Sequence, residues 1–342
     1  MAPRNFGTGW DGRGGAGGNN CWGDAAVVIA WNLYTQYGDV AVLQEYYDSL
    51  CKWIDYLEVH SENGLRTEEN GYGDHFSVES TPKGLTDTAW SAHSADLVSK
   101  ISTVLGKTDE GIHYQQVFEQ FRDAWLREYV SEDGVIECYS QTAYALGLAF
   151  DLFPETMRQM AAECLLNNVT FNQYEFHAGY AGLGYVLPAL SEAGYSDAAY
   201  EMLCNTGERS LLYPVIQGAT TTPEYLSAYQ EMNGELVLDG SLNHYAYGAP
   251  AQWLYTNVLG IRSDKENPGF KHFSIRPEVT DRWSYAKGAY ESMYGRIEVS
   301  WEHEENGYLY HIRIPANTTA TVELPGMESM ELGSGEYDFI SE

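Results

Sequence analysis

A chain of 342 residues can bury a large core and has room for one domain of about 250 residues with a smaller one appended. Its 49 acidic residues against 19 basic ones give a formal charge of −30, which repels nucleic-acid phosphates and anionic lipid headgroups and favours a neutral or cationic ligand. No apolar run approaches the ~20 residues of a membrane span, and the opening Met-Ala-Pro-Arg-Asn-Phe-Gly lacks a signal-peptide core.

The segment from Gly7 to Asn20 is rich in Gly and Asn and reads as a loop. From Asp24 to Ile261 the apolar residues recur at helical spacing. Leu43, Tyr47, Leu50, Ile54 and Leu57 fall 4, 3, 4 and 3 apart, and Phe118, Phe121 and Trp125 fall 3 and 4 apart, each set marking one face. Gly106 is expected to end one helix and Thr108 to cap the next. The pattern predicts about ten helices, at 24–36, 39–59, 86–105, 109–130, 139–152, 154–167, 179–193, 196–205, 208–217 and 245–261. Helix pairs in that number, joined by polar loops of uneven length, point to a mainly α architecture, an α/α toroid, and are too many for a four-helix bundle. After Ser263 the period changes to two. Arg296 to Trp301, a turn at Glu305-Asn306-Gly307, and Tyr308 to Ile314 form a hairpin signal, which Thr318 to Leu324 and Tyr337 to Ile340 extend. The expected organisation is a helical domain over 1–262 and a small antiparallel β-sandwich over 263–342, packed on the helical body.

The chemistry-bearing candidates are carboxylates in small-residue or aromatic loops, away from basic partners. Three pass that filter: Glu224 in Gly-Ala-Thr-Thr-Thr-Pro-Glu-Tyr at 218–225, Asp24 in Asn-Cys-Trp-Gly-Asp at 20–24, and Asp74 in Gly-Tyr-Gly-Asp-His-Phe at 71–76. Each has a plainer reading: Glu224 as a solvated loop acid, Asp24 as a helix cap and Asp74 as a turn residue. His244 follows Asn243 at a predicted helix entrance, where an imidazole can donate to a ring hydroxyl or serve structurally. Trp22 either stacks on a sugar or packs in the core. An acid or base, an imidazole and aromatic faces together suit sugar chemistry. His75, His93 and His177 show no metal-ligand spacing, so no metal is expected, and no Gly-rich phosphate fingerprint follows a strand, so no cofactor is expected. Cys21, Cys51, Cys138, Cys164 and Cys204 form no CxxC pair, and an odd, dispersed set of thiols points to a reducing, cytoplasmic compartment.

Taken in order, these segments resemble the bacterial α-L-rhamnosidases of glycoside hydrolase family 78. The matching stretches are Trp22-Gly-Asp-Ala-Ala-Val-Val-Ile-Ala-Trp31, Gly73-Asp74, Thr81-Pro-Lys83, Ala92-His-Ser-Ala95, Gln141-Thr-Ala-Tyr144, Gly218-Ala-Thr-Thr221 with Glu224, and Ser241-Leu-Asn-His-Tyr-Ala-Tyr-Gly-Ala249. In the tail, Tyr290-Glu-Ser-Met-Tyr-Gly-Arg296 and Ile314-Pro-Ala-Asn-Thr-Thr319 resemble that family's C-terminal domain. The resemblance implies an (α/α)6 six-hairpin domain and an inverting hydrolase of terminal rhamnosides, with Glu224 as the general base. It further implies Trp22, Asp24, Asp74, His75 and His244 as sugar-binding residues.

Three departures accompany it. The family's Trp-Glu-Arg-Trp block is here Pro223-Glu224-Tyr225-Leu226, and His75 replaces the aromatic residue that follows Gly-Asp. The family's proton donor lies upstream in a Gly-Trp-Thr-Gly-Asp-Ala context that residues 1–21 do not contain. With about ten helices instead of twelve, the toroid is expected to lack its first hairpin, and the chain to be the C-terminal part of a longer enzyme in which Met1 is internal. The rival expectations are a carbohydrate-binding or structural remnant without the acid, and another α/α-toroid sugar enzyme such as an epimerase.

Overall fold

The computed structural model describes residues 18–67, 71–232, 235–264, 266–305 and 307–341. The loop expected over 7–20 therefore lies, up to residue 17, outside the described residues. By contact density the chain divides into two units: residues up to Val28 with Tyr47–Pro250, and Ile29–Tyr46 with Ala251–Glu342.

Among the described residues there are nine α-helices: α1 (Ala25–Tyr37), α2 (Val40–Val59), α3 (Lys83–Val104), α4 (Thr108–Tyr129), α5 (Gln141–Ala149), α6 (Glu155–Phe171), α7 (Leu183–Glu192), α8 (Ser196–Cys204) and α9 (Leu212–Ile216). In the first unit α3 packs on α4, α5 on α6 and α7 on α8, while α5 also lies between α3 and α7. This is the α/α arrangement that paired helices predict. Helix α5 buries every residue except Ala149, whereas α4 buries one face, Tyr114, Val117, Phe118, Phe121 and Trp125 among them. The inner helices are α3, α5 and α7, and each buried large side chain on them contributes roughly 1.5–3 kcal/mol. The loop that leads into α3 carries Asp74 and His75, Trp22 and Asp24 precede α1, and Glu224 and His244 follow α9.

The α3–α4 turn shows why Thr108 is the first residue of α4 and not its cap. Gly106, at φ +71°, donates to Thr103 O at 3.0 Å, and Lys107 N–H donates to Ser102 O at 2.9 Å. This paired closure ends α3 on glycine and starts α4 at once. Helix α7 begins at Leu183 and not at 179. The helix expected over 245–261 is a 3₁₀ segment at Ala246–Ala251 followed by a π-helical turn at Leu254–Val258. Pro250 lacks the amide that a continuous α-helix would need there. The polar loop after Glu224 contains an unanticipated hairpin, β1 (Tyr229–Met232) with β2 (Glu235–Leu238).

The second unit carries two four-stranded sheets. One has the order β10 (Gly335–Ser341), β7 (Gly307–Ile314), β6 (Gly295–Glu304), β5 (Tyr285–Ser292), all antiparallel. The other has the order β3 (Ile261–Ser263), β4 (His272–Ile275), β8 (Thr319–Val322), β9 (Met330–Leu332). Its β4–β8 pair is parallel, a departure from the all-antiparallel expectation. It brings His272–Ile275 alongside Thr319–Val322 across more than forty intervening residues, a pairing that no local turn signal announces. Ile297, Val299 and Trp301 on β6 and Tyr310, Ile312 and Ile314 on β7 alternate into the core of this unit, as the period-two pattern predicts. The indole of Trp301 donates to Val258 O at 2.8 Å.

Candidate functional site

The loop at 71–82 leads into α3 and the loop at 175–182 leads into α7, and hydrogen bonds lace the two together. Val78 N–H donates to His177 O and Tyr180 N–H to His75 O, each at 2.9 Å. At Gly179 the chains run so close that a Cβ would lie 2.3 Å from His75 O and 2.7 Å from Ser77 N, so only glycine fits.

Asp74 sits at the centre of this lacing. Its carboxylate accepts from Gly179 N–H at 2.9 Å, Ala181 N–H at 3.0 Å and the Thr142 hydroxyl. Burial pushes its pKa up to about 6, against the pull of Thr142 and of the Gly179, Ala181 and Gly182 amides, all of which favour the ionised form. A second carboxylate, Glu79, lies further along the same loop. It accepts from Gln141 N–H at 2.7 Å and from the Asn168 and Asn172 amides at 2.8 Å, with His177 Nδ1 at 3.6 Å. Burial opposes ionisation of Glu79, yet the His177, Gln141 and Asn168 donors prevail and hold it below the usual carboxylate range. Gln141 completes the support, donating to Glu175 O and accepting from His177 N–H, both at 2.9 Å. The Gln141-Thr142 pair thus holds both loops from the start of α5.

The loops present a cluster of rings. Tyr180 is its hub: it stacks on His244 at 5.4 Å between centroids and 23° between planes, meets His75 edge-on at 5.5 Å, and lies 6.4 Å from Trp22. Trp22 is 4.8 Å from Tyr72, and Phe76 is 4.8 Å from Tyr225. The Tyr247 hydroxyl donates to Phe76 O at 3.2 Å, tying the segment after α9 to the loop before α3. Phe76 adopts φ +59°, a left-handed backbone that bulky residues rarely take.

Glu224 is half-buried beside this cluster. Its N–H donates to Ser241 O at 2.7 Å, and its carbonyl accepts the Tyr180 hydroxyl at 2.8 Å. Ser241 N–H donates to carboxylate Oε2 at 3.1 Å, the one protein donor to that carboxylate among the described residues. Burial and the Glu224 carboxylate both raise the Tyr180 pKa, so its phenol remains a donor through the neutral range. His244 is fixed by its own N–H, which donates to Thr222 O at 2.7 Å.

Asp24 has a different environment from the one a sugar contact implies. It is fully buried, with Trp53 Nε1 and the Ser94 hydroxyl donating to Oδ1 at 2.7 Å each, and Cys21 N–H and Asn20 Nδ2 donating to Oδ2 at 2.6 and 3.2 Å. Burial raises its pKa against these donors. The carboxylate ties the 20–21 turn to α2 and α3 and caps no first-turn amide of α1. Of the residues singled out from the sequence, the structure gathers Trp22, His75, Glu224 and His244 around Tyr180, while Asp24 and Asp74 are buried and bonded to protein donors. Tyr72, Phe76, Tyr180, Tyr225 and Tyr247 were not anticipated. The available signal was aromatic residues beside glycine in loops, as at Gly71-Tyr72-Gly73 and Gly179-Tyr180. Among the described residues no group of three His, Cys, Asp or Glu side chains could hold a metal ion, and no helix is long and apolar enough to cross a membrane.

Paired helices that present loop carboxylates among aromatic rings define the class of α/α carbohydrate-active proteins. Comparison makes the assignment specific. Residues 2–258 match the bacterial alpha-L-rhamnosidase six-hairpin glycosidase domain, and residues 260–337 match the bacterial alpha-L-rhamnosidase C-terminal domain. The chain belongs to the bacterial α-L-rhamnosidase family. It is 35% identical over 339 residues to an alpha-L-rhamnosidase of Streptomyces avermitilis, covering 93% of this chain and 32% of that protein. The crystal structure of a Streptomyces avermitilis alpha-L-rhamnosidase complexed with L-rhamnose superposes with a TM-score of 0.90 at 32% identity, covering 96% of this chain and 33% of the other. The native Aspergillus terreus enzyme superposes with a TM-score of 0.87 at 30% identity, covering 96% and 40%. The chain spans about a third of the length of the curated relatives it matches.

Proposed function

We propose that this chain carries the base side of an inverting α-L-rhamnoside hydrolysis site. The observation that carries the reading is the setting of Glu224: a carboxylate with a single protein donor among the described residues, its backbone pinned by Tyr180 and Ser241, beside a ring cluster built by Trp22, His75, Tyr180 and His244. Ser241 fixes Oε2 and leaves Oε1 to accept a proton from water. That water attacks the anomeric carbon; its proton passes to Glu224 as the new C–O bond forms and the glycosidic C–O bond breaks. The leaving oxygen takes a proton from an acid that the family resemblance places upstream of the helical body. Tyr180, Trp22 and Tyr72 offer ring faces for the apolar side of the deoxysugar, and His75 and His244 offer imidazole nitrogens to its hydroxyls. Asp24 and Asp74 act one layer below, by holding the loops. The rhamnose complex of the Streptomyces avermitilis relative supports rhamnose as the sugar.

The test is hydrolysis of 4-nitrophenyl α-L-rhamnoside, whose leaving group needs little protonation, together with calorimetric binding of L-rhamnose. Glu224→Gln is expected to lower the rate by roughly 10²–10⁴-fold with binding retained. A Glu224→Gln chain that turns over like the parent removes Glu224 from the mechanism. Rhamnose binding without any turnover in the parent favours the binding-remnant reading.

A further inference from the structure

We propose that Asp74 is a positioning residue, whose carboxylate fixes Tyr180 against His244 and Glu224 by gathering the Gly179 and Ala181 amides and the Thr142 hydroxyl. The inference rests on the rhamnoside reading above and adds how that site is held. Gly179 and Ala181 flank Tyr180 in the chain, so the two amide bonds at 2.9 and 3.0 Å grip the backbone on either side of the hub ring. Between them Tyr180 N–H is taken by His75 O, which immediately follows Asp74. The Tyr180 side chain then reaches across to Glu224 O at 2.8 Å and stacks on His244. One buried carboxylate therefore sets both the base and the imidazole without touching either.

An ionised Asp74 accepts all these donors, whereas a protonated one gives up an acceptor site to its own hydrogen. With its pKa at about 6, the latch is made above that pH and weakens below it. Asp24 and Asp87 share this neighbourhood, since with Asp74 they all act on the Cys21 thiol. Thr142 comes from α5 and is uncharged. The phenol of Tyr247 and the thiol of Cys21 are each pushed up in part by Asp74 and stay neutral. On its own loop His75 is adjacent, and at the start of α3 the Lys83 stem lies along Gly73. The loop histidines are common to every variant, so the pH profile is read as a difference between variants.

The experiment measures calorimetric binding of L-rhamnose between about pH 4.5 and 8, the window that brackets the shifted Asp74, and amide exchange at Gly179 and Ala181. In the parent chain, affinity is expected to rise as pH passes upward through about 6 and then level. Asp74→Asn should weaken binding about tenfold at neutral pH, erase that inflection and speed exchange at both amides. Thr142→Val removes a donor that favours the ionised form, so it should move the inflection to higher pH while keeping the side-chain volume. A purely structural role would not produce that displacement. A folded Asp74→Asn chain with the parent's exchange rates and affinity profile overturns the proposal. If Asp74→Asn does not fold, Thr142→Val decides, and an unmoved inflection overturns it. A parent that binds no L-rhamnose at any pH overturns the functional reading and this inference together. Normal binding that is indifferent to both variants overturns the inference alone.

Discussion

Tyr180→Phe isolates one hydrogen bond in the site. The substitution keeps the ring that stacks on His244 and meets His75 and Trp22, and deletes only the hydroxyl that donates to Glu224 O at 2.8 Å. A net hydrogen bond of this kind is worth ~1 kcal/mol. That energy corresponds to about a fivefold fall in rate if the bond is felt at the transition state. Because burial and Glu224 keep the phenol protonated, the loss should be the same at every pH near neutrality. The assay is release of nitrophenolate from 4-nitrophenyl α-L-rhamnoside, with L-rhamnose affinity measured in parallel. The expected result is a kcat lowered about fivefold with the dissociation constant changed by less than about twofold, since the ring faces survive. An unchanged kcat in a folded Tyr180→Phe chain refutes the idea that Tyr180 sets the base. A loss of affinity as large as the loss of rate refutes it differently, by showing that the hydroxyl touches the sugar.

Gly179→Ala forces a Cβ to within 2.3 Å of His75 O, so the two loops must part; rhamnose binding should be lost and thermal stability lowered by about 2–4 kcal/mol, read by calorimetric titration and melting. Asp74 also leaves a stability signature. Its folded pKa is raised from 3.8 to about 6, so its contribution is fully present below the unfolded value and is lost as pH rises through the folded one, a change of about 3 kcal/mol. The melting temperature of Asp74→Asn relative to the parent should therefore climb between those pH values, and a constant difference would contradict the burial argument. In the second unit, Trp301→Ala should cost about 3–5 kcal/mol by emptying the core between Ile297, Val299 and Tyr310 and leaving Val258 O without its indole donor. Denaturant unfolding checks this, and a cost under about 1 kcal/mol would place Trp301 outside the core.

What was legible in the sequence follows from whether the signal was local. The stripes of α2 and α4 and the alternation of β6 and β7 are dictated by the 3.6 and 2.0 residue periods and were readable directly. Helix α7 starts four residues later than its apolar pattern, and the backbone before it is held by Asp74 from a hundred residues away, a contact that no local pattern announces. The β1–β2 hairpin was hidden because every residue of β2 is exposed, so neither face is marked by hydrophobicity. In the site, Glu224 and His244 stood out by their unusual neighbours. Tyr180 did not: it is one of 27 tyrosines, and its role comes from meeting Glu224, His244, His75 and Trp22, which arrive from four other stretches of chain.

The three loop carboxylates that looked alike in sequence separate by how many donors they already hold. Asp24 accepts four bonds and Asp74 at least three, all from protein groups in the interior. Donors of that number offset part of the cost of a buried charge and lock neighbouring backbone; four bonds fill the acceptor sites of Asp24, and at least three occupy most of those of Asp74. Among the described residues Glu224 accepts one bond, on Oε2, and it is only half-buried. A general base must keep an acceptor site open to water while its backbone stays fixed, and Glu224 meets both conditions through Ser241 and Tyr180. On the proposed reading the same physics gives opposite duties to identical chemistry: the carboxylates rich in protein donors hold loops, and the one with an open acceptor site takes a proton.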